Sequence, residues 1–209
     1  MKLTEIKDIE FLAKGHRGVL YKGNYKGNVV VIKTKREESE AIGRIENEAN
    51  FLKKLNAKGI GPELIYYNKK KDFMVYYYVD GEFFPIVLEH SKSPNQIKKI
   101  LKQVFLQCYK MDKMGIDKEE MHHPYKHILI DKKTKKPIMI DFERCHHVEV
   151  GKNVTQFCTY VISEHISKQL LKLKIKVNRD KIIAAAKRYK KGQVKKNFDK
   201  ILLLLKLTK

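Results

Sequence analysis

Between residues 8 and 34, apolar runs alternate with glycine turns: Ile9-Glu10-Phe11-Leu12, Gly15 and Gly18, Val19-Leu20-Tyr21, Gly23 and Gly27, then Val29-Val30-Val31-Ile32-Lys33. Short runs of β-branched and aromatic residues bounded by glycine are strand signals, so the stretch predicts three antiparallel strands joined by tight turns. No βαβ unit follows, which argues against a dinucleotide-binding fold. Instead Ile42, Ile45, Ala49, Leu52 and Leu55 recur near helical spacing and predict a helix over about 38–55. Gly59, Gly61 and Pro62 close it, and strands are expected at about 63–67 and 73–79.

The second half reads differently. Ile97, Ile100, Leu101, Val104, Phe105, Cys108 and Met111 mark a helix over 94–114, buried along one face and closed near Gly115. A strand, Ile128-Leu129-Ile130, precedes a lysine-rich turn at 132–136, and the apolar run Ile138-Met139-Ile140 delivers Asp141 to the end of a buried strand. Residues 157–172 and 180–206 read as helices. The run Ile201–Leu205 is far too short to span a membrane and is expected to pack on a core.

A chain of 209 residues buries a real core, as one domain or two small lobes. It carries no long apolar stretch and no charged-then-apolar start, so neither a membrane span nor a signal peptide is expected. Three cysteines without a C-x-x-C pair argue against a disulfide framework or a zinc ribbon and point to the cytoplasm. The formal charge is +21, and residues 166–209 carry fifteen basic side chains against Asp180 and Asp199, or +13. That bias suits an anionic partner, RNA or a ribonucleoprotein among them. Only six of the 45 basic residues are arginine, however, and a lysine surplus also suits plain solvated faces.

Four positions carry chemistry. Asp141 is a hard oxygen donor of the kind magnesium prefers. The turn Ala13-Lys14-Gly15-His16-Arg17-Gly18 is a G-x-G-x-x-G pattern with alanine in the first place, where missing Cβ atoms let backbone N–H groups approach phosphate. Lys33 ends the third strand. Glu48 lies fifteen residues later on the predicted helix, as a counter-charge for a buried lysine, with Glu46 as the alternative. His122, His123, His127, Cys145, His146 and His147 cluster in sequence, but their spacing matches no standard zinc ligand set.

In this order, the glycine turn, the Val-Val-Ile-Lys strand, Glu48, the stretch Tyr76-Tyr77-Tyr78-Val79-Asp80-Gly81 and Asp141-Phe142-Glu143 resemble the protein-kinase-like superfamily, over roughly residues 9–145. The chain looks most like its small atypical branch, which includes RIO kinases, the kinase of the tRNA threonylcarbamoylation complex, lipopolysaccharide core kinases and archaeal proteins described as predicted serine/threonine kinases. The resemblance implies an α+β, bilobal kinase-like fold. Its N-lobe, an antiparallel sheet plus one helix, would span 1–79, and its mainly helical C-lobe 80–209.

ATP and magnesium are the implied cofactors, and a protein serine or threonine the implied acceptor. Ala13, Gly15 and Gly18 would lie along the γ-phosphate, Leu20 over the adenine, and the Tyr77 and Val79 backbone at its edge. Lys33 and Glu48 would position the α- and β-phosphates, and Asp141 the metal. Two departures stand out. The loop from Asp117 to His127 lacks the usual His-Arg-Asp and its asparagine; alignment on the following strand puts His122 and His127 in those places. Glu120, Asp117 and His122 are candidates for the base, with Glu120 preferred, and Lys126 is placed to meet the γ-phosphate. Asp117, Lys118 and Glu119 otherwise read as surface side chains. Glu143 replaces the last glycine of Asp-Phe-Gly, which implies a stiffer segment. The rival expectations are a catalytically weak nucleotide-binding pseudokinase, an RNA- or ribosome-associated switch whose basic C-terminal helices dock on phosphates, and a kinase of small molecules.

Overall fold

The computed structural model describes residues 2–15, 18–36 and 43–208. Its elements in order are β1 (Lys7–Lys14), β2 (Gly18–Tyr25), β3 (Asn28–Lys35), α1 (Arg44–Asn56), β4 (Leu64–Asn68), β5 (Phe73–Tyr77), β6 (Gly81–Phe83), α2 (Phe84–His90), α3 (Pro94–Lys113) and β7 (Ile116–Asp117). There follow β8 (Ile128–Asp131), β9 (Pro137–Met139), β10 (His146–His147), α4 (Asn153–Val161), α5 (Glu164–Lys172), α6 (Arg179–Lys191) and α7 (Lys195–Leu204). The architecture is α+β, with a five-stranded antiparallel sheet and seven α-helices among the described residues. No described helix is long and apolar enough to cross a membrane. All three cysteines are buried, and they form no disulfide among the described residues.

The chain divides into two compact units, residues 1–80 with 138–145, and residues 81–137 with 146–209. In the first, the sheet runs β1-β2-β3-β5-β4. β2 and β3 meet at Lys26-Gly27, both with positive φ, as a two-residue hairpin turn matching strand twist requires. Val30, Ile32, Phe73 and Val75 pack on one face of the sheet with Ile6. On the other face Met74 joins Ile45 and Ala49 of α1. The helix expected from residue 38 is observed from Arg44; residues 37–42 lie outside the described residues. Asn56 at the end of α1 fastens the turn that follows: its Nδ2 donates to the carbonyls of Ile60 and Pro62, and its Oδ1 accepts from the Leu64 N–H.

The second unit is built on α3. Ser93 caps its start, accepting from the Gln96 N–H, and Pro94 occupies the first turn, where its missing N–H is no loss. Its apolar face, Ile97 through Met111, is fully buried, and Phe105 meets Phe157 of α4 edge-on at 4.8 Å. The helix expected over 157–172 is two helices, α4 and α5, because Ser163 takes an extended conformation and its hydroxyl donates to the Tyr160 carbonyl. The helix expected over 180–206 is likewise α6 and α7. Gly192 is extended, and its carbonyl accepts from Asn197 Nδ2 at 2.7 Å.

Candidate functional site

Residues directly opposite one another on antiparallel strands project to the same face of the sheet. Leu20, Lys33 and Met74 form one such row across β2, β3 and β5, so a single charge stands in an otherwise apolar line. Gly18 leaves room for it: a Cβ there would lie 3.1 Å from the Thr34 carbonyl and 3.3 Å from Lys33 Cε.

A buried ammonium needs partners, and Lys33, only 8% exposed, has three. Its Nζ donates to Glu48 Oε2 from α1 and lies 3.4 Å from Asp141 Oδ1 and 3.7 Å from Glu143 Oε2. Glu46, the alternative partner, instead pairs with exposed Lys69 at 2.9 Å. The other oxygen of Glu48, Oε1, accepts from the Phe142 N–H at 3.1 Å. Asn47 donates to the carbonyls of Glu143 and Cys145 at 3.0 and 2.9 Å, so two consecutive residues of α1 grip the segment after β9. Phe142 is fully buried, seated where Gly61 has no side chain. Just before these anchors Asp141 holds φ +63°, a left-handed conformation that aspartate tolerates better than most residues.

The electrostatics follow from three carboxylates facing one ammonium. Burial acts against the Lys33 charge, but Glu48 and Asp141 outweigh it and hold its pKa well above that of a free lysine. Burial, only partly opposed by Lys33 and reinforced by Asp141, pushes the Glu48 carboxyl upward. Tyr76, on β5, is also raised, first by burial and then by the charge of Glu48.

The carboxylate oxygens of Glu48, Asp141 and Glu143 lie within 4.8 Å of one another and, with Lys33, leave an excess of two negative charges when all are ionised. Such a set of hard oxygen donors fits magnesium, which takes one or two carboxylates and completes its shell with water and phosphate. Glu48 is engaged at both oxygens, so Asp141 and Glu143 are the pair fitted to hold the ion. Sequence reasoning had named Asp141 alone. Among the described residues this is the one such group of metal-ligating side chains; the histidines of 122–147 form none.

The remaining predicted positions are placed as follows. Ala13 is exposed on β1 opposite Leu20, which is half-buried. The Gly15 N–H donates to the Gly18 carbonyl across the turn, while His16 and Arg17 lie outside the described residues. The Tyr77 N–H donates to the Glu63 carbonyl, leaving only its carbonyl for an edge contact, whereas no group among the described residues accepts from the Val79 N–H.

In the second unit, Asp117 and Lys118 are each 2% exposed, which corrects their reading as surface side chains. Asp117 Oδ1 accepts from the Glu119 N–H, and the Lys118 N–H donates to Asn153 Oδ1, so the polar chain is buried with its backbone satisfied. Glu119 and Glu120 follow with φ +58° and +55°, two left-handed residues in succession. The Met121 N–H donating to Gln156 Oε1 and the His123 N–H donating to the Glu120 carbonyl hold that shape. Glu120 stands 3.8 Å from His127 Nε2, Glu119 3.4 Å from His146 Nδ1, and Lys126 and His122 are exposed.

No protein-family model matches the chain, and no curated protein matches it in sequence.

Proposed function

We propose that the chain is an ATP- and magnesium-dependent phosphotransferase of the protein-kinase-like superfamily, acting on serine or threonine of a protein. The observation that carries this is the junction of Lys33, Glu48, Asp141 and Glu143 in one charged cluster, from three stretches of sequence whose order resembles that of the superfamily. On this reading the two units are its two lobes.

Lys33 neutralises the α- and β-phosphates, and Glu48 fixes its position and keeps it charged. Asp141 and Glu143 would hold magnesium, whose chemistry when bound would be to neutralise charge on the transferring phosphate. Asp141 is left-handed, the residues after it are pinned to Glu48 and Asn47, and its Oδ1 lies 3.4 Å from Lys33 Nζ.

The test is transfer of labelled γ-phosphate from ATP and Mg²⁺ to the protein itself and to a generic protein acceptor. Lys33→Ala and Asp141→Asn are each expected to lower transfer by about a hundredfold or more, the scale seen when one preorganised charge is removed from an active site. Unchanged transfer in both variants would overturn the assignment. ATP binding without transfer by the wild type would favour the second reading, a nucleotide-sensing module, for which the absence of His-Arg-Asp from the 117–127 loop speaks.

A further inference from the structure

A groove of about 480 Å³ lies between α4 and α6 in the second unit, away from the Lys33 cluster in sequence. Its floor is aliphatic, with Ile162 and Ile183 among its residues, and its rim carries Lys152, Lys187 and Lys190. No carboxylate lines it. All three lysines are exposed, and among the described residues none is paired with an acidic side chain. The neighbouring helices differ, since Lys168 of α5 pairs with Glu164 and Lys195 of α7 with Asp199.

The helix dipoles account for only one of these charges, since Lys190 lies in the last turn of α6, where a cation is favourable. Lys152 is the N-cap of α4, the positive end of the helix dipole, where a cation is unfavourable. The first N–H groups of α4 are also already engaged, because Asn153 and Val154 donate to the Asp112 carboxylate. An anion in the groove would therefore be held by the lysine side chains rather than by the helix end. On α6, Lys187 and Lys190 are one turn apart, close enough for like charges to repel. Ammoniums spaced along two walls suit a ligand with several phosphates in series, and the apolar floor suits the face of an unstacked base.

The hydroxyls select the sugar. Thr155 Oγ1 donates to the Lys152 carbonyl and Thr159 Oγ1 to the Thr155 carbonyl, at 2.9 and 3.2 Å, so both reach the groove as acceptors only. A ribose 2′-hydroxyl can donate to them; deoxyribose offers no such donor. We infer that the α4–α6 groove binds single-stranded RNA, with phosphates on Lys152, Lys187 and Lys190 and a base over Ile162 and Ile183. This assignment does not use the Lys33 cluster, although His122 of the 117–127 loop also lines the groove.

The test is fluorescence anisotropy with a labelled oligouridylate on the full chain. Lys187→Glu/Lys190→Glu is compared with Lys99→Glu/Lys113→Glu, which changes the net charge equally on exposed positions of α3 outside the groove. The groove variant is expected to lose at least tenfold in affinity, and its slope of log K against log salt to flatten by about 1.4, or roughly 0.7 for each phosphate contact removed from a single strand. The α3 variant is expected to lose no more than two- to threefold. Equal losses in the two variants, or no RNA binding by the wild type, would overturn the site. Equal affinity for oligodeoxyuridylate would overturn the assignment to RNA.

Discussion

The backbone N–H of Phe142 donates to Glu48 at 3.1 Å, and the second oxygen of the same carboxylate takes the ammonium of Lys33. One glutamate on α1 therefore sets the position of the lysine and of the acidic segment together. The charge balance around it is uneven. Removing Glu48 leaves Lys33 two carboxylates, whereas removing Lys33 leaves three buried or half-buried carboxylates facing one another. Lys33→Met is accordingly expected to destabilise by about 3–5 kcal/mol, the range for an orphaned buried charge, and Glu48→Gln by less. Urea midpoints check the order. Added Mg²⁺ should recover more stability in Lys33→Met than in wild type, because a cation then replaces the lost charge.

Glu143 stands where the proposed superfamily has glycine, and 3.7 Å from Lys33. If it and Asp141 share the cation, Glu143→Gln raises the Mg²⁺ concentration needed for half-maximal ATP binding by about tenfold or more, since even outer-sphere partners of a metal carry that much. Titration of ATP binding against Mg²⁺ measures it. An unshifted midpoint would leave Asp141 as the metal's sole carboxylate.

Gly61 is required twice over. Its φ is +82°, and a Cβ would lie 2.5 Å from Leu52 Cδ1 and 2.9 Å from the Phe142 ring. Gly59, two residues earlier, has φ +69° but open space around it. Gly59→Ala should therefore show only the left-handed penalty of about 1 kcal/mol, and Gly61→Ala about 2 kcal/mol or more, because the displaced Phe142 also disturbs its bond to Glu48. Thermal or urea unfolding of the two variants separates backbone strain from steric overlap.

Much of the first unit was legible because its signals are local. Glycine punctuation marked the three strands, and the fifteen-residue step from Lys33 to Glu48 rests on a strand and a helix face. What escaped depends on backbone turns made by ordinary residues. Nothing in Ile-Asp-Phe-Glu announces a left-handed Asp141, yet that turn brings Glu143 to Lys33. Asp117 and Lys118 look like solvent-facing residues until Asn153, 36 and 35 positions further on, is seen to satisfy the buried backbone there. The breaks at Ser163 and Gly192 were hidden by apolar periodicity that continues across them.

Asp112 joins α3 to α4 and α6, accepting from Asn153 N–H and Nδ2, the Val154 N–H and the Tyr189 hydroxyl. Burial nevertheless outweighs those four donors and pushes its carboxyl up to about 6. The folded state therefore binds this proton more tightly than the unfolded chain does. The resulting stabilisation is complete below the ordinary aspartate range and is lost as pH rises through about 6; a shift of roughly two units corresponds to about 3 kcal/mol. Asp112→Asn removes the titration but turns an amide donor toward N–H groups, so it destabilises at every pH. The measurement is the difference in unfolding free energy between wild type and Asp112→Asn, which cancels the acid repulsion of so basic a chain. That difference should be largest near pH 4 and shrink by pH 7. A difference that grows over the same interval would mean that the four donors dominate and that Asp112 is folded as a carboxylate with a lowered pKa.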